Sequence, residues 1–180
     1  MWAGLSGVSR RCERGSRYAL AQVDEGEAWH RADFQTVCAV AAVWRKRGGR
    51  GLPTRHDIDP LHFGPGLLPH LMLIEVRSAA DYFWRLCGER ASFLFGERLA
   101  KRTLGELERS APAVAAWREV LDCTVAKGAP VYFEVDNVTS SGRPMRGAGA
   151  MLPLRAPAGE GRQRRIADVL GVLRLAQLSR

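Results

Sequence analysis

Lysine is nearly absent from this 180-residue chain, cysteine is sparse and no long apolar run occurs; each shortage removes a class of protein. The four cysteines, Cys12, Cys38, Cys87 and Cys123, lie far apart with no Cys-x-x-Cys pair. That spacing argues against a zinc site or a disulfide framework and for reduced, mostly buried thiols. No apolar run approaches the roughly 18 to 20 residues of a membrane span. Met1 to Asp24 scatters arginines through a stretch that lacks the continuous apolar region of a signal peptide. A cytoplasmic protein with no membrane role is expected. Also missing are a Ser/His/Asp spacing, a phosphate-cradling glycine loop and a metal motif. No catalytic residue and no metal ligand is therefore assigned, and the chain is read as non-enzymatic. His56, His62 and His70 sit on different segments without a supporting carboxylate pattern and are read as surface or packing residues.

The charge is strongly one-sided, at a formal +8, and arginine outnumbers lysine 24 to 3. A basic nucleic-acid-binding regulatory protein is the alternative that such a balance raises. The arginines are dispersed, however, and only Arg45-Lys46-Arg47 and Arg162-Gln163-Arg164-Arg165 are clustered. Phosphate binding rewards a contiguous basic face, and an Arg-, Ala- and Gly-rich composition follows equally from GC-rich coding sequence. Nucleic acid is therefore not the expected partner.

The hydrophobic fraction of 46% supports a core, and the length suits one domain with appendages. Residues 1–26 show no sustained period and are expected to be flexible. From Glu27 to Arg47, Trp29, Val37, Val40, Ala41 and Trp44 recur at helical spacing, with Phe34 and Cys38 widening the stripe and Gly48-Gly49 ending it. This amphipathic helix, within a segment bounded at 27–50, either covers a sheet or pairs with its copy in a homodimer through Trp29, Val37, Val40 and Trp44. The domain proper is placed at 51–180. Asp57-Ile-Asp-Pro and Gly64-Pro65-Gly66 are turn chemistry. The apolar run from Leu67 to Arg77 and the segment from Tyr82 to Cys87 read as a strand hairpin. A short helix follows over Glu89 to Phe95. Thr103-Leu-Gly-Glu106 fits a capping box, and a longer helix runs from Ser110 to Gly128. Val131 to Val138, Met145 to Leu154 and Ile166 to Leu175 then read as a three-strand meander.

Two strands, a helical insert and three strands describe an α+β fold, a five-stranded antiparallel sheet with helices on one face, preceded by the N-terminal amphipathic helix. That order resembles the PAS fold. Leu52-Pro-Thr-Arg, Asp59-Pro60, Leu68-Pro69, Trp84-Arg-Leu-Cys-Gly88 and Met151-Leu-Pro-Leu154 together resemble a proteobacterial PAS subfamily, over roughly Trp44 to Leu175. Trp84 departs from that pattern, standing where tyrosine or a similar residue is expected. The resemblance implies a bacterial sensory or interaction module, usually dimeric, acting in signal transduction through a small ligand, a second copy or a signalling protein partner. Flavin photosensors of the family resemble one another in an Asn-Cys-Arg-Phe-Leu-Gln stretch; here Gly88-Glu-Arg-Ala-Ser-Phe-Leu-Phe has no cysteine. Haem sensors usually carry a histidine on the long helix, and Pro112 to Lys127 has none. Covalent flavin photochemistry and haem are thus disfavoured, and the cofactor is unassigned.

Strand alternation places Trp84 and Leu86 on one face of their strand and Arg85 and Cys87 on the other. The candidate ligand pocket is lined by Trp84, Arg85, Phe93, Phe95, Trp117 and Phe133, with a packed core holding no ligand as the alternative. An arginine inside an apolar strand must be paired or exposed. Arg85 is therefore expected either to meet a carboxylate such as Glu89 or Glu134 or to hold an anion through its planar fork.

Overall fold

The computed structural model describes residues 10–11, 17–78, 81–95, 99–110, 114–138, 144–157 and 166–177. One antiparallel sheet of seven strands runs through them, β1 (Arg10–Arg11), β2 (Arg17–Val23), β3 (Leu71–Ser78), β4 (Asp81–Cys87), β5 (Val131–Val138), β6 (Pro144–Arg155) and β7 (Ile166–Gln177). Their order across the sheet is β1-β2-β5-β6-β7-β3-β4. The five strands from β4 to β5 form the sheet expected from sequence. β2 extends it by pairing along the whole of β5, from Arg17 opposite Val138 to Val23 opposite Tyr132. Part of the N-terminal segment expected to be flexible is thus ordered. β2 carries few strong strand formers, and its Leu20 and Val23 become buried only when β5 supplies the partner.

Both faces of the sheet are covered. On one, here called the inner face, α3 (Glu89–Phe95), α4 (Leu104–Ser110) and α5 (Ala115–Lys127) pack over Ile74, Trp84, Phe133, Val135 and Val169. The predicted capping box starts α4. Glu106 Oε2 accepts from the Thr103 backbone N–H at 2.7 Å, while Thr103 Oγ1 accepts from the Glu106 N–H at 3.2 Å. Gly128, at φ 58°, ends α5 in the left-handed conformation that glycine tolerates.

On the outer face lie α1 (Glu25–His30) and α2 (Gln35–Gly48). The single helix expected over Glu27 to Arg47 is broken at Arg31, whose backbone is extended and whose guanidinium is held by Glu27, Asp33 and Glu134. α2 then runs across β6 and β7, burying Val37, Val40, Ala41 and Trp44 against Ala150, Leu152, Leu154 and Val172. The Trp44 indole N–H donates to Pro153 O at 3.0 Å. The β3 and β4 end of this face lies beyond α2, and the loop between α2 and β3 crosses it instead.

Candidate functional site

Three of the predicted pocket residues meet on the inner face. Trp84 of β4, Trp117 of α5 and Phe133 of β5 are each 0 to 1% exposed. Trp117 and Phe133 meet edge to face, with ring centroids 5.3 Å apart. The Phe133 ring occupies the room left by Gly149, where a Cβ would fall 2.5 Å from it. A slit of about 10 Å³ between α5 and the β2–β5 edge opens beside them, roughly the space of one water-sized probe. This part of the interior is packed. Phe93 and Phe95 belong to α3, but their side chains lie outside the described residues. One polar atom is at odds with the packing, since Trp84 Nε1 is buried with no acceptor among the described residues.

Arg85 is not part of this group. The register between β3 and β4 slips between Leu73 and Ile74, so that Leu73 opposes Leu86 while Ile74 opposes Trp84. Arg85 is the extra residue, and a bulge resets which side chains share a face. Trp84 and Cys87 end up packed on the inner core, and Leu86 faces outward beside Leu73. The alternation that grouped Trp84 with Leu86 is thereby corrected. Arg85 is exposed and pairs with Glu75, Nη2 to Oε2 at 3.1 Å, rather than with Glu89 or Glu134. Arg77 shares the same carboxylate at 3.3 Å and stacks on Phe83 at 3.6 Å from the ring centre.

A different concavity appears where α2 stops short. The loop from Arg55 to Leu68 arches over the outer face of β7, β3 and β4 and leaves a cleft of about 100 Å³. Ile58, Phe63 and Leu68 form its loop side, and Leu71, Leu73, Leu86 and Leu170 its sheet side. The loop is built by local hydrogen bonding. Asp57 accepts from the Thr54 N–H at 2.7 Å, and Asp59 accepts from the Leu61 N–H at 2.8 Å. His62 Nδ1 accepts from the Asp59 N–H at 3.1 Å. Arg55 lines the cleft and has no ion pair among the described residues. Leu86 at the rim is 45% exposed, and Leu61, next to the lining Pro60, is 84% exposed. Sequence patterning missed this site because the bulge inverts Leu86 and because the loop residues are turn formers with no periodic signature.

A family model for the PAS domain matches residues 33–173, most of the chain. The chain belongs to the PAS domain family. In this PAS domain the matched region takes in α2, the cleft loop and all the strands from β3 to β6, with β7 to Leu173. The solved structure of an RNA-binding light-oxygen-voltage receptor is similar over 69% of this chain and 36% of that receptor's chain, at 18% identity and a TM-score of 0.42. No curated protein matches the sequence.

Several ionisable groups of the PAS domain form local pairs. Arg118 is held by Glu108 at 2.9 Å, which raises its pKa. The Tyr82 hydroxyl, buried in β4, donates to Asp122 of α5; burial first and that hydrogen bond second push it well above the ordinary phenol range. Burial raises the thiols of Cys38 and Cys87, which disfavours thiolate chemistry at neutral pH. Among the described residues no His, Cys, Asp and Glu side chains group as a metal site. No helix among them is long and apolar enough to cross a membrane. Of the four residues expected at a dimer interface, Val37, Val40 and Trp44 are buried within the protomer. Trp29 is 37% exposed and covered in part by the Arg45 guanidinium at 4.7 Å.

Proposed function

We propose that this PAS domain is a non-catalytic sensory module that holds a small molecule in the outer cleft bounded by Arg55, Leu73 and Leu86. PAS domains are sensory and interaction modules as a family. The observation that carries the location is the contrast between an open apolar cleft of about 100 Å³ and the packed Trp117–Phe133 region beneath α5. A preformed apolar concavity with a single convergent cation is the usual form of a small-molecule site. Occupancy would be read at the rim, where Leu61 and Leu86 present apolar surface to a second copy or a signalling partner.

The orphaned Trp84 N–H favours a second reading, in which an acceptor-bearing ligand enters the interior under α3. Leaving such a donor buried and unmet costs roughly 1–3 kcal/mol. Methyl and indole NMR separates the two. Titration with five- to eight-carbon acids, amides and alcohols is expected to shift the methyls of Leu68, Leu71, Leu73, Leu86 and Leu170. Shifts confined to the Trp84 indole and the Val120 and Val135 methyls would replace the outer site with the inner one. No shift at either would sink the ligand-binding function.

A further inference from the structure

We infer that the outer cleft selects a small monoanion with a compact apolar body, its charged head held by Arg55; this rests on the cleft being the ligand site. The argument begins with the counter-ions. Several of the domain's arginines are engaged by carboxylates: Arg85 and Arg77 by Glu75, Arg118 by Glu108, Arg146 by Asp136, and Arg31 by Glu27, Asp33 and Glu134. Arg55 has two acids within four residues, yet both are committed elsewhere. Asp57 is turned to the Thr54 N–H and hydroxyl, at 2.7 and 2.8 Å, and Asp59 to the Leu61 N–H. Arg55 is therefore a half-buried residue with no ion pair among the described residues, set at the wall of a leucine-lined space.

The planar fork of a guanidinium fits a carboxylate in two parallel charge-assisted hydrogen bonds. A cleft of about 100 Å³ also limits the body of the ligand. An apolar cavity of about 150 Å³ holds benzene, so this smaller, open cleft takes at most a phenyl ring or a chain of about six carbons with part of its body at the rim. A long-chain lipid, a dianionic nucleotide or a neutral sugar does not fit this combination of small volume, apolar walls and one cation.

The test uses the full chain and two matched pairs of probes, phenylacetate with phenylacetamide and hexanoate with hexanamide. Binding is followed by the methyl shifts of Leu86 and Leu170 in wild type, Arg55→Gln, Arg55→Lys and Leu73→Trp, and by those of Leu73 in all but the last. The acids are expected to bind at least about tenfold more tightly than the amides, the difference that one charged hydrogen-bonded contact supplies. Arg55→Gln should erase that preference, Arg55→Lys should keep part of it, and Leu73→Trp should abolish both by filling the cleft. Thermal melts confirm that each variant is folded. Equal binding of acid and amide to wild type would overturn the anion assignment and leave the cleft as the site. Shifts at none of the cleft methyls with any probe would overturn both.

Discussion

At the scale of the residue, close approach and charge make opposite demands on neighbouring positions. A Cβ at Gly88 would lie 2.3 Å from Pro69 O and 2.5 Å from its carbonyl carbon, which are backbone atoms that cannot swing aside. Gly88→Ala should therefore cost about 1–3 kcal/mol in chemical denaturation. Gly105, inside α4, has nothing within 4 Å of its added methyl. Gly105→Ala should stabilise by up to about 1 kcal/mol through helix propensity, and a loss there would contradict the packing described for α4. Acid behaviour turns on Asp33, whose carboxyl is held low first by the hydrogen bond from Arg31, against the opposing effect of burial. A carboxyl depressed on folding adds stability above its unfolded-chain pKa of about 3.9, and that stability is lost as pH falls through the lower folded value. Wild-type melts should thus fall more steeply below about pH 4 than those of Asp33→Asn. Parallel acid limbs would show that the Arg31–Asp33 pair contributes nothing.

At the scale of the element, α2 decides how the outer face is used. Its stripe carries more apolar area than a helix lying on a half-covered sheet needs, which is why the sequence suggests a dimer. In the fold that area meets β6 and β7 of its own chain, and Trp44 adds a hydrogen bond to Pro153. Trp44→Ala should cost about 3–5 kcal/mol, with the mass by light scattering below the melting temperature unchanged. A lower mass with little loss of stability would return this helix to a dimer interface. β4 shows the complementary case. Its free edge is closed locally, with Trp84 N–H donating to Arg102 O at 2.9 Å and Lys101 N–H to Trp84 O at 2.7 Å, which blunts an edge that otherwise invites strand pairing.

At the scale of the whole molecule, two covered faces and a net positive charge set the remaining expectations. Removing residues 1–47 takes away β2, α1 and nearly all of α2. It uncovers Tyr132, Ala150, Leu152, Leu154 and Val172. The truncated chain should aggregate rather than behave as a well-folded monomer. The formal charge of +8 is carried by arginines dispersed along the chain, some of them paired with acids, as at Arg31, Arg118 and Arg146. Binding to random duplex DNA should therefore be weak at physiological salt and indifferent to sequence. Nanomolar, sequence-selective binding measured at that salt would reinstate the nucleic-acid-binding alternative.

The sequence by itself determined the elements whose patterns are local. The period-two alternation of Val131 to Val138, the Thr103–Glu106 box and the Gly128 stop each specify structure within a few residues, and the order of the elements, with motifs such as Leu52-Pro-Thr-Arg, resembles the PAS fold. The burial of Trp84, Trp117 and Phe133 was legible for the same reason, because large aromatics in periodic segments face a core. Only the tertiary structure decided where the exceptions go. Whether Arg17–Val23 is a strand depends on β5, more than a hundred residues away. The one-residue slip opposite Leu73 and Ile74 depends on how β3 and β4 twist together, and it moved Leu86 to the outer face and Cys87 to the inner core. The cleft exists because α2 ends over β7 and a turn-rich loop covers the rest. Spacing along a chain carries the direction of a side chain within its element; what covers that side chain is fixed by residues far away in sequence, and the site is made of such coverings.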